Sequence, residues 1–323
     1  MISYRQFRNS DPPQLVDVWR RTPPTRRLAQ ALTPLVFEEL VLAKPYFDPA
    51  GLIVATEEPS GQIVGFVHVG FGPNETLDGL DREEGTICML IVHPQDNRPA
   101  IAAELLRRGE DYLRRAGAGR IYASGLQAID PFYVGLYCGS ELPGLLNSEV
   151  VAQRFFRRHD YQDADTVAVY QCDPAAFRPI VDRTQMQIRR NTTVELIEDA
   201  PSRNWWEACT LGCFQQIRSE LRARDNGELL AAARLWCRDP FGQSLGVHAL
   251  GLLDIEVVAE RRQAGLATYL LGESIRRLHE RGFTLIEGHA KRSNRAAIRL
   301  IEKLGFVESD EGTVLSKAST LEG

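Results

Sequence analysis

Apolar and polar residues follow their clearest pattern in the second half of the chain. Residues 250–258 are apolar except for Gly251, Asp254 and Glu256, which predicts a strand that is buried on at least one face. Residues 268–278 then carry apolar side chains at helical spacing, which predicts an amphipathic helix. The short segment between them is therefore expected to be a strand-to-helix turn.

Similar patterns predict the other elements of both halves. In the first half we expect strands at 2–7, 52–56, 63–69, 86–92, 120–123 and 167–171, and helices at 12–19, 35–42 and 102–113. In the second half we expect strands at 187–196, 217–224, 229–236 and 284–290, and helices at 202–214 and 296–304. The sequence Asp225-Asn226-Gly227 between two of these strands is a hairpin signal.

The two halves share one order of elements, which indicates an internal duplication. Val92 aligns with Val257 at an offset of 165 residues. The offset falls to 145 where Tyr161 aligns with Phe306, so the first copy has 20 extra residues around 127–147. This aromatic, glycine-rich segment is either a packed surface loop, which we favour, or a lid or domain-contact element. We place the domains at 1–173 and 187–320, with a linker at 174–186.

The turn between the strand and the helix of the second copy has the chemistry of a phosphate site. A helix that opens after a tight turn presents unpaired N–H groups and a partial positive charge, which favour an anion. Arg262 adds a formal cation, and Gly265 lets a ligand approach the backbone. The segment therefore predicts a pyrophosphate-binding loop.

This loop resembles a known family motif. The sequence Arg262-x-x-Gly265-x-Ala267 is similar to the coenzyme A loop of the GNAT N-acetyltransferases, usually written Arg/Gln-x-x-Gly-x-Gly/Ala. The later string from Asn294-x-x-Ala297 to Lys303-Leu304-Gly305-Phe306 resembles the closing helix of that family. The tandem pair is similar in arrangement to other pairs of this superfamily, such as mycothiol synthase.

The resemblance implies the fold, the cofactor and the binding residues. The fold class is α/β (α+β), with two tandem units that each contain a mixed, mostly antiparallel twisted sheet flanked by helices. Acetyl-CoA is the co-substrate, and no metal is expected. The resemblance assigns coenzyme binding to Val257, Val258, Ala259, Arg262, Gln263, Ala264, Gly265, Leu266, Ala267 and Asn294.

The first copy departs from the motif at the same place. Pro99 removes one amide donor, Ala100 puts a methyl group where the second copy has glycine, and Asn97 stands where the second copy has Arg262. We therefore expect the N-terminal copy to be degenerate and the C-terminal copy to bind the coenzyme.

The proton acceptor for the amine is harder to assign. In relatives it is often a glutamate four or six residues before the position of Val257, but those positions are Leu253 and Gly251 here. Asp254 and Glu256 are the nearest carboxylates and our candidate catalytic residues. Simple strand alternation points them to the opposite face. A β-bulge, which this strand has in many relatives, would re-aim one of them, while a structural or solvent-facing role is the alternative.

Other candidate groups stay open. The tyrosine that often protonates the departing thiolate in this family corresponds to Ile301 here. His248 and His289 both lie in sequences that predict strands. Either histidine is a proton relay or a hydrogen-bonded structural residue. Glu287 lies two residues before His289, which keeps the relay open for His289.

Composition narrows the partners. The 323 residues are 44% hydrophobic and 25% charged, which fits two folded domains. A net charge of −5 gives no general attraction to nucleic acid or to an anionic membrane, so we expect neither as a partner. Six cysteines without close paired spacing, and no leader-like segment, favour a cytoplasmic protein, as a monomer or a homodimer.

Two functions fit these observations. The first is an acetyl-CoA-dependent N-acetyltransferase that moves the acetyl group directly to a small-molecule or peptide amine, with an active C-terminal copy. The alternative is a non-catalytic acyl-CoA sensor or partner-binding module. The sequence does not specify the acceptor.

Overall fold

The computed structural model describes residues 1–23, 25, 28, 32–94, 97–124, 131–137, 139–238 and 247–318. The chain divides into two compact units. The N-unit comprises Met1–Thr166, Arg203–Thr210 and Gly312–Gly323, and the C-unit comprises Val167–Ser202 and Leu211–Glu311. The predicted domain limits of 173 and 187 remain predictions.

The strands of the described residues largely follow the predicted patterns. They are β1 Ile2–Gln6, β2 Leu52–Glu57, β3 Gln62–Pro73, β4 Leu80–Val92, β5 Arg120–Ala123, β6 Leu145–Leu146, β7 Gln162–Cys172, β8 Thr192–Glu198, β9 Gln216–Ala223, β10 Leu229–Cys237, β11 Ala249–Val257, β12 Leu285–Lys291 and β13 Val307–Ala318.

The helices of the same residues are α1 Pro12–Arg21, α2 Pro34–Phe37, α3 Arg98–Arg115, α4 Val150–Arg158, α5 Arg183–Asn191, α6 Trp205–Leu211, α7 Leu266–Glu280 and α8 Arg295–Lys303. A π-helical turn, Glu38–Leu42, follows α2.

Each unit contains a mixed sheet with one parallel pair. The N-unit has the strand order β1-β2-β3-β4-β5-β13, and the C-unit has the order β8-β9-β10-β11-β12-β7. Pairing is antiparallel except between β4 and β5 and between β11 and β12. Apolar faces of α3 and α7 pack on the two sheets. The predicted mixed, mostly antiparallel fold with flanking helices is confirmed.

The last strand of each sheet comes from the other half of the sequence. In the C-unit, β12 pairs with β7 from Ile286↔Cys172 to Lys291↔Val167. In the N-unit, β5 pairs with the end of β13 from Leu315↔Ala123 to Ala318↔Arg120. The two copies have therefore exchanged their final strands.

The segment 187–196 differs from its prediction, because α5 continues to Asn191 and β8 begins only at Thr192. The Asp182 side chain accepts a hydrogen bond from the amide of Gln185 at 2.8 Å and so caps α5. Gln185 and Ile188 lie on one buried helix face, which stabilises a helix in a sequence that also reads as a strand.

The extra segment of the first copy is packed where the structure describes it. Phe132, Tyr133, Leu136 and Tyr137 are all buried. Residues 125–130 and 138 lie outside the described residues. The described part of this segment is therefore packed, and its role stays a prediction.

Candidate functional site

The strands β11 and β12 separate at a β-bulge. Arg234 of β10 pairs with Asp254 and Leu235 pairs with Leu252, so Leu253 is the extra residue on β11. The parallel pairing with β12 ends at Leu252↔Gly288, although both strands continue. Past these residues, the facing edges of β11 and β12 are unpaired in this part of the sheet. We call this gap the opening.

The bulge also decides where the candidate carboxylates point. Ala231 and Ala233 pair with Val257 and Ile255, and all four pack with the apolar side chains of α7. Asp254 and Glu256 therefore lie on the opposite face of the sheet. Gly251 lies on that same face, since it pairs with Trp236 on the far side of the bulge. The expected bulge is present, and it places both carboxylates, rather than one of them, on the face of Gly251. Their catalytic role stays a prediction.

The two carboxylates have different surroundings on this face. The Asp254 carboxylate forms a two-pronged ion pair with the guanidinium of Arg234, with Nε 3.0 Å from Oδ2. The Arg234 side chain is 12% exposed and the Asp254 side chain is 31% exposed. Glu256 pairs across the strands with Ala232 and is exposed to solvent.

The predicted phosphate loop has the geometry of an anion site. A short 3-10 turn, Ala259–Arg261, follows β11, and the backbone then has positive φ at Gln263 and at Gly265, the N-cap of α7. The amides of Gly265, Leu266 and Ala267 have no hydrogen-bond partner within the described residues. Three N–H groups at a helix start are thus available to one ligand.

Gly265 is required by both conformation and packing. Its φ of +80° disfavours any residue with a side chain. A Cβ atom built there would lie 3.1 Å from Nε2 of Gln185, and that amide also donates to the Gly265 carbonyl at 3.4 Å. Helix α5 therefore supports the loop from behind, a contact that the strand prediction for this segment missed.

Backbone groups at the end of β11 face the opening. The amide of Val258 donates to Leu230 of β10 at 3.0 Å. Successive amides of a strand point to opposite sides, so the amide of Val257 points toward the unpaired edge. Arg262 donates from Nε to the Val257 carbonyl at 3.3 Å, which brings its guanidinium back toward the loop.

The remaining predicted binding residues lie in the turn before α7 and at the start of α8. Ala259, Gln263 and Ala264 are exposed in the turn. Asn294 accepts a hydrogen bond from the amide of Ala297 at 3.1 Å, so its side chain caps α8. Four arginines near the two helix starts have no acidic partner within the described residues: Arg261, Arg262, Arg295 and Arg299. The combination of free amides and unpaired cations favours a polyanion.

The corresponding loop of the N-unit lacks these donors. The amides of Ala100 and Ile101 both donate to the Asn97 carbonyl at 3.1 Å. Pro99 has no N–H, and Ala100 lies in the helix rather than at a positive φ. Residues 95 and 96 lie outside the described residues. In the described part of the loop, the groups that stay free in the C-unit are absent or occupied.

A buried Glu–His pair lies beside the opening. Nε2 of His289 is 3.1 Å from Oε1 of Glu287, and the two side chains are 3% and 0% exposed. Nε2 of Gln171 donates to Oε2 of Glu287 at 2.8 Å, and Nη1 of Arg238 lies 3.8 Å from the same oxygen. Sequence reasoning noted both residues, but without the topology it did not place them at the end of the β11–β12 pairing.

Two other predicted candidates lie elsewhere. His248 is exposed and precedes β11, at the end of the strand away from the opening. Ile301 is buried in the apolar cluster of the C-unit. Within the described ranges, no group of three metal-ligating side chains is placed to hold an ion. No helix there is long and apolar enough to cross a membrane.

The C-unit thus combines a mixed sheet whose parallel pair separates at a bulge with an anion loop at the following helix start. The acetyltransferase (GNAT) family model matches residues 12–137 and 183–306, more than half of the chain. The chain therefore belongs to the GNAT acetyltransferase family, in a tandem arrangement. Members of this family generally use acetyl-CoA and act on amines.

Solved structures agree on the tandem fold. The GCN5-related glucosamine N-acetyltransferase region of a fungal multi-domain GH3 β-N-acetylglucosaminidase gives a TM-score of 0.71 at 15% identity, over 98% of this chain and 38% of that protein. The chain thus spans 38% of the length of that fungal protein. A tandem GNAT protein from the clavulanic acid biosynthesis pathway gives 0.66 at 15% identity, over the whole of both chains.

A GCN5-related N-acetyltransferase from Sphaerobacter thermophilus gives a TM-score of 0.59 at 13% identity, over 98% of this chain and 95% of that one. No curated protein matches the chain in sequence.

Proposed function

We propose that the chain is an acetyl-CoA-dependent N-acetyltransferase whose C-terminal copy holds the coenzyme and performs direct transfer to an amine. The observation that carries the proposal is the loop at the start of α7. The backbone amides there are free and the N-cap is a glycine, whereas the matching amides of the N-unit are occupied or missing.

The residues of the C-unit fit the coenzyme. The amides of Gly265, Leu266 and Ala267 and the guanidinium of Arg262 would bind the pyrophosphate. The exposed turn of Ala259, Gln263 and Ala264 would line the same loop. Arg295 is the first residue of α8 and Arg299 lies one turn further along it, and the Asn294 side chain caps the start of this helix.

The opening suits an extended chain with amide groups. An unpaired strand edge offers backbone donors and acceptors to such a chain, as in strand addition. The amide of Val257 would bind the pantetheine arm or the thioester carbonyl, where negative charge develops during acyl transfer. The amide of Val258 is already bonded to β10, so this residue would contribute its carbonyl or side chain.

The face that carries Asp254 and Glu256 would receive the amine. An ammonium is attracted by carboxylates, and Glu256 is the exposed one of the two. The ion pair with Arg234 offsets part of the negative charge of Asp254. Asp254 would therefore attract the ammonium less strongly and would mainly contribute to the shape of this face. The acceptor is a small-molecule or peptide amine.

The leaving group needs no dedicated acid. Acetyl-CoA supplies a thioester, whose departing thiol has an ordinary pKa of about 8.5, so a thiolate is a tolerable leaving group at neutral pH. Buried Ile301 would donate no proton in any case. The apolar residue at position 301, where relatives often have a tyrosine, also favours the second candidate, an acyl-CoA-binding module without turnover.

The two candidates are separated by one experiment. The protein is titrated with acetyl-CoA by calorimetry and is then incubated with acetyl-CoA and a panel of primary amines, while free thiol is followed with a disulfide reagent. Binding with amine-dependent thiol release supports the enzyme. Binding with no release over the background with every amine favours the binding module, and no binding contradicts both.

A further inference from the structure

The polar nitrogen Nδ1 of His289 has no hydrogen-bond partner within the described residues, although the side chain is only 3% exposed. Buried polar atoms of folded proteins almost always have a partner, so an unpaired buried nitrogen points to a ligand or solvent group that is not part of the chain.

The place of this nitrogen in the fold is specific. Gly288 is the last residue of β12 that pairs with β11, and His289 is the next one. Ile286 and Ala290 pack in the apolar cluster with α7, so Glu287 and His289 lie on the opposite face of the sheet. Asp254 and Glu256 lie on this same face, on the neighbouring strand. His289 is thus at the junction of the opening and the amine-facing side.

The neighbour of His289 fixes its chemistry. Glu287 accepts hydrogen bonds and is held by Gln171 from β7, with Arg238 close to its second oxygen. The proton of neutral His289 therefore lies on Nε2, facing Glu287, which leaves the Nδ1 lone pair free. An imidazole whose far nitrogen is held by a carboxylate is the arrangement that many enzymes use for a general base.

We propose that Nδ1 of His289 accepts the proton of the amine substrate and that Glu287 is the positioning residue that holds its tautomer. This inference rests on the proposed function, and it names the group on which that function depends for its proton transfer.

The step balances as follows. The acceptor enters as a substituted ammonium, and His289 takes one of its protons at Nδ1. The free nitrogen forms the C–N bond with the acyl carbon while the C–S bond breaks, and the second N–H proton released from that nitrogen leaves with the sulfur as a thiol. His289 returns its proton to solvent. The products are the amide, the free thiol and one proton.

The carboxylates of this face have other tasks. Asp254 is bound by the guanidinium of Arg234 from β10, which holds its charge in an ion pair. Glu256 is exposed, and water competes there for any proton transfer. We expect Glu256 to help bind the ammonium, so Glu256→Gln raises the KM for the amine and changes kcat little.

The first experiment needs no knowledge of the amine. NMR spectra of protein labelled in its histidine ring nitrogens, assigned with His289→Gln, report which nitrogen of His289 carries the proton. We expect an unprotonated Nδ1 whose signal shifts when acetyl-CoA is added. A protonated Nδ1 near neutral pH, or a signal unchanged by saturating acetyl-CoA, overturns the proposal. If calorimetry shows no acetyl-CoA binding at all, the proposed function fails first.

The second experiment uses the best amine of the panel. His289→Gln is expected to lower kcat by about 10²-fold or more, the usual contribution of a general base, with acetyl-CoA affinity unchanged within twofold. The matched control His248→Gln, a histidine at the far end of β11, should behave as wild type. The acid limb of the kcat/KM profile, its fall at low pH, should disappear in His289→Gln. Glu287→Gln should lower kcat while leaving the affinity for acetyl-CoA unchanged.

Two results would contradict this assignment. Normal kcat and a normal acid limb in His289→Gln overturn it while leaving the proposed function intact. Loss of the acid limb in Glu256→Gln, with the limb retained in His289→Gln, moves the role to the carboxylate.

Discussion

Cys88 and Leu253 have the same structural role, 165 residues apart: each is the extra residue of a β-bulge in the strand that precedes the loop. The parallel pair also ends at matching places, at Ile87↔Ala123 in the N-unit and Leu252↔Gly288 in the C-unit. The first copy has therefore kept the bulge and the strand separation, while its loop has lost the anion donors.

The first prediction follows from this difference. Acetyl-CoA should saturate the protein at one equivalent per chain. Arg262→Glu should weaken binding by about 10²-fold, because it removes a charged contact worth about 1.5–3 kcal/mol and adds repulsion. Calorimetry measures both quantities.

The matched control is the residue at the same place in the N-unit. Asn97→Glu should leave the affinity and the single equivalent unchanged. Two equivalents of similar affinity, or loss of binding in Asn97→Glu, would show that the N-unit binds the coenzyme.

The second prediction concerns the glycine of the loop. Gly265→Ala forces a side chain into a left-handed conformation, which costs about 1–2 kcal/mol, and places a methyl group against Gln185. We expect affinity for acetyl-CoA to fall about tenfold and the unfolding midpoint in urea to decrease. The reverse change in the first copy, Ala100→Gly, should lower stability slightly without creating a second site. A gain of acetyl-CoA binding in Ala100→Gly would contradict the view that several donors are missing.

The third prediction uses a buried histidine of the N-unit. His68 is fully buried, with Nδ1 3.0 Å from the Tyr133 hydroxyl, and burial lowers its pKa from 6.5 to about 3. The unfolded chain therefore binds a proton below pH 6.5 that the folded chain does not, so acid destabilises the fold. Between pH 7 and pH 5 this residue should remove about 2 kcal/mol of the free energy of unfolding.

The test compares wild type with His68→Asn, which keeps a polar partner for Tyr133 but does not titrate. The variant should be less stable at pH 7, and the difference should shrink by about 2 kcal/mol at pH 5. Urea denaturation followed by tryptophan fluorescence measures it. An equal difference at pH 7 and pH 5 would mean that His68 binds a proton as readily in the folded chain as in the unfolded chain.

The fourth prediction addresses the exchanged strands. A fragment of residues 1–173 lacks 312–318, so β5 loses the strand that places buried Leu315 in the core of the N-unit. We expect the fragment to be poorly folded alone and to gain cooperative unfolding with a peptide of residues 307–318. A peptide with Leu315→Asp should have no effect, and a fragment that unfolds cooperatively by itself would refute the prediction.

Local chemistry in the sequence was enough to predict the loop and the duplication. The pattern is specific because three local features coincide in the sequence. A cation, Arg262, and a glycine, Gly265, come directly before an amphipathic helix, and the structure places Gly265 at the N-cap of that helix. The helix α5 was missed because the residues before Asn191 have both patterns, and burial of Ile188 against the neighbouring helix decides between them.

The strand exchange could not be read from the sequence. The segments of β7 and β13 have the same apolar pattern, and pairing partners far apart in sequence leave no local signal. The free Nδ1 of His289 was equally hidden, because it depends on where the β11–β12 pairing stops. The sequence predicts His289 as a candidate, but it contains no information on whether both ring nitrogens have hydrogen-bond partners.

The exchange of final strands has a consequence for the evolution of the duplicated chain. Here a deletion of the first copy would also remove residues 167–172, which border β12 next to the proposed base. The strands that complete the sheets of the N-unit and the C-unit are each encoded in the opposite half of the chain. Recombination that discards either half therefore opens the sheet of the other.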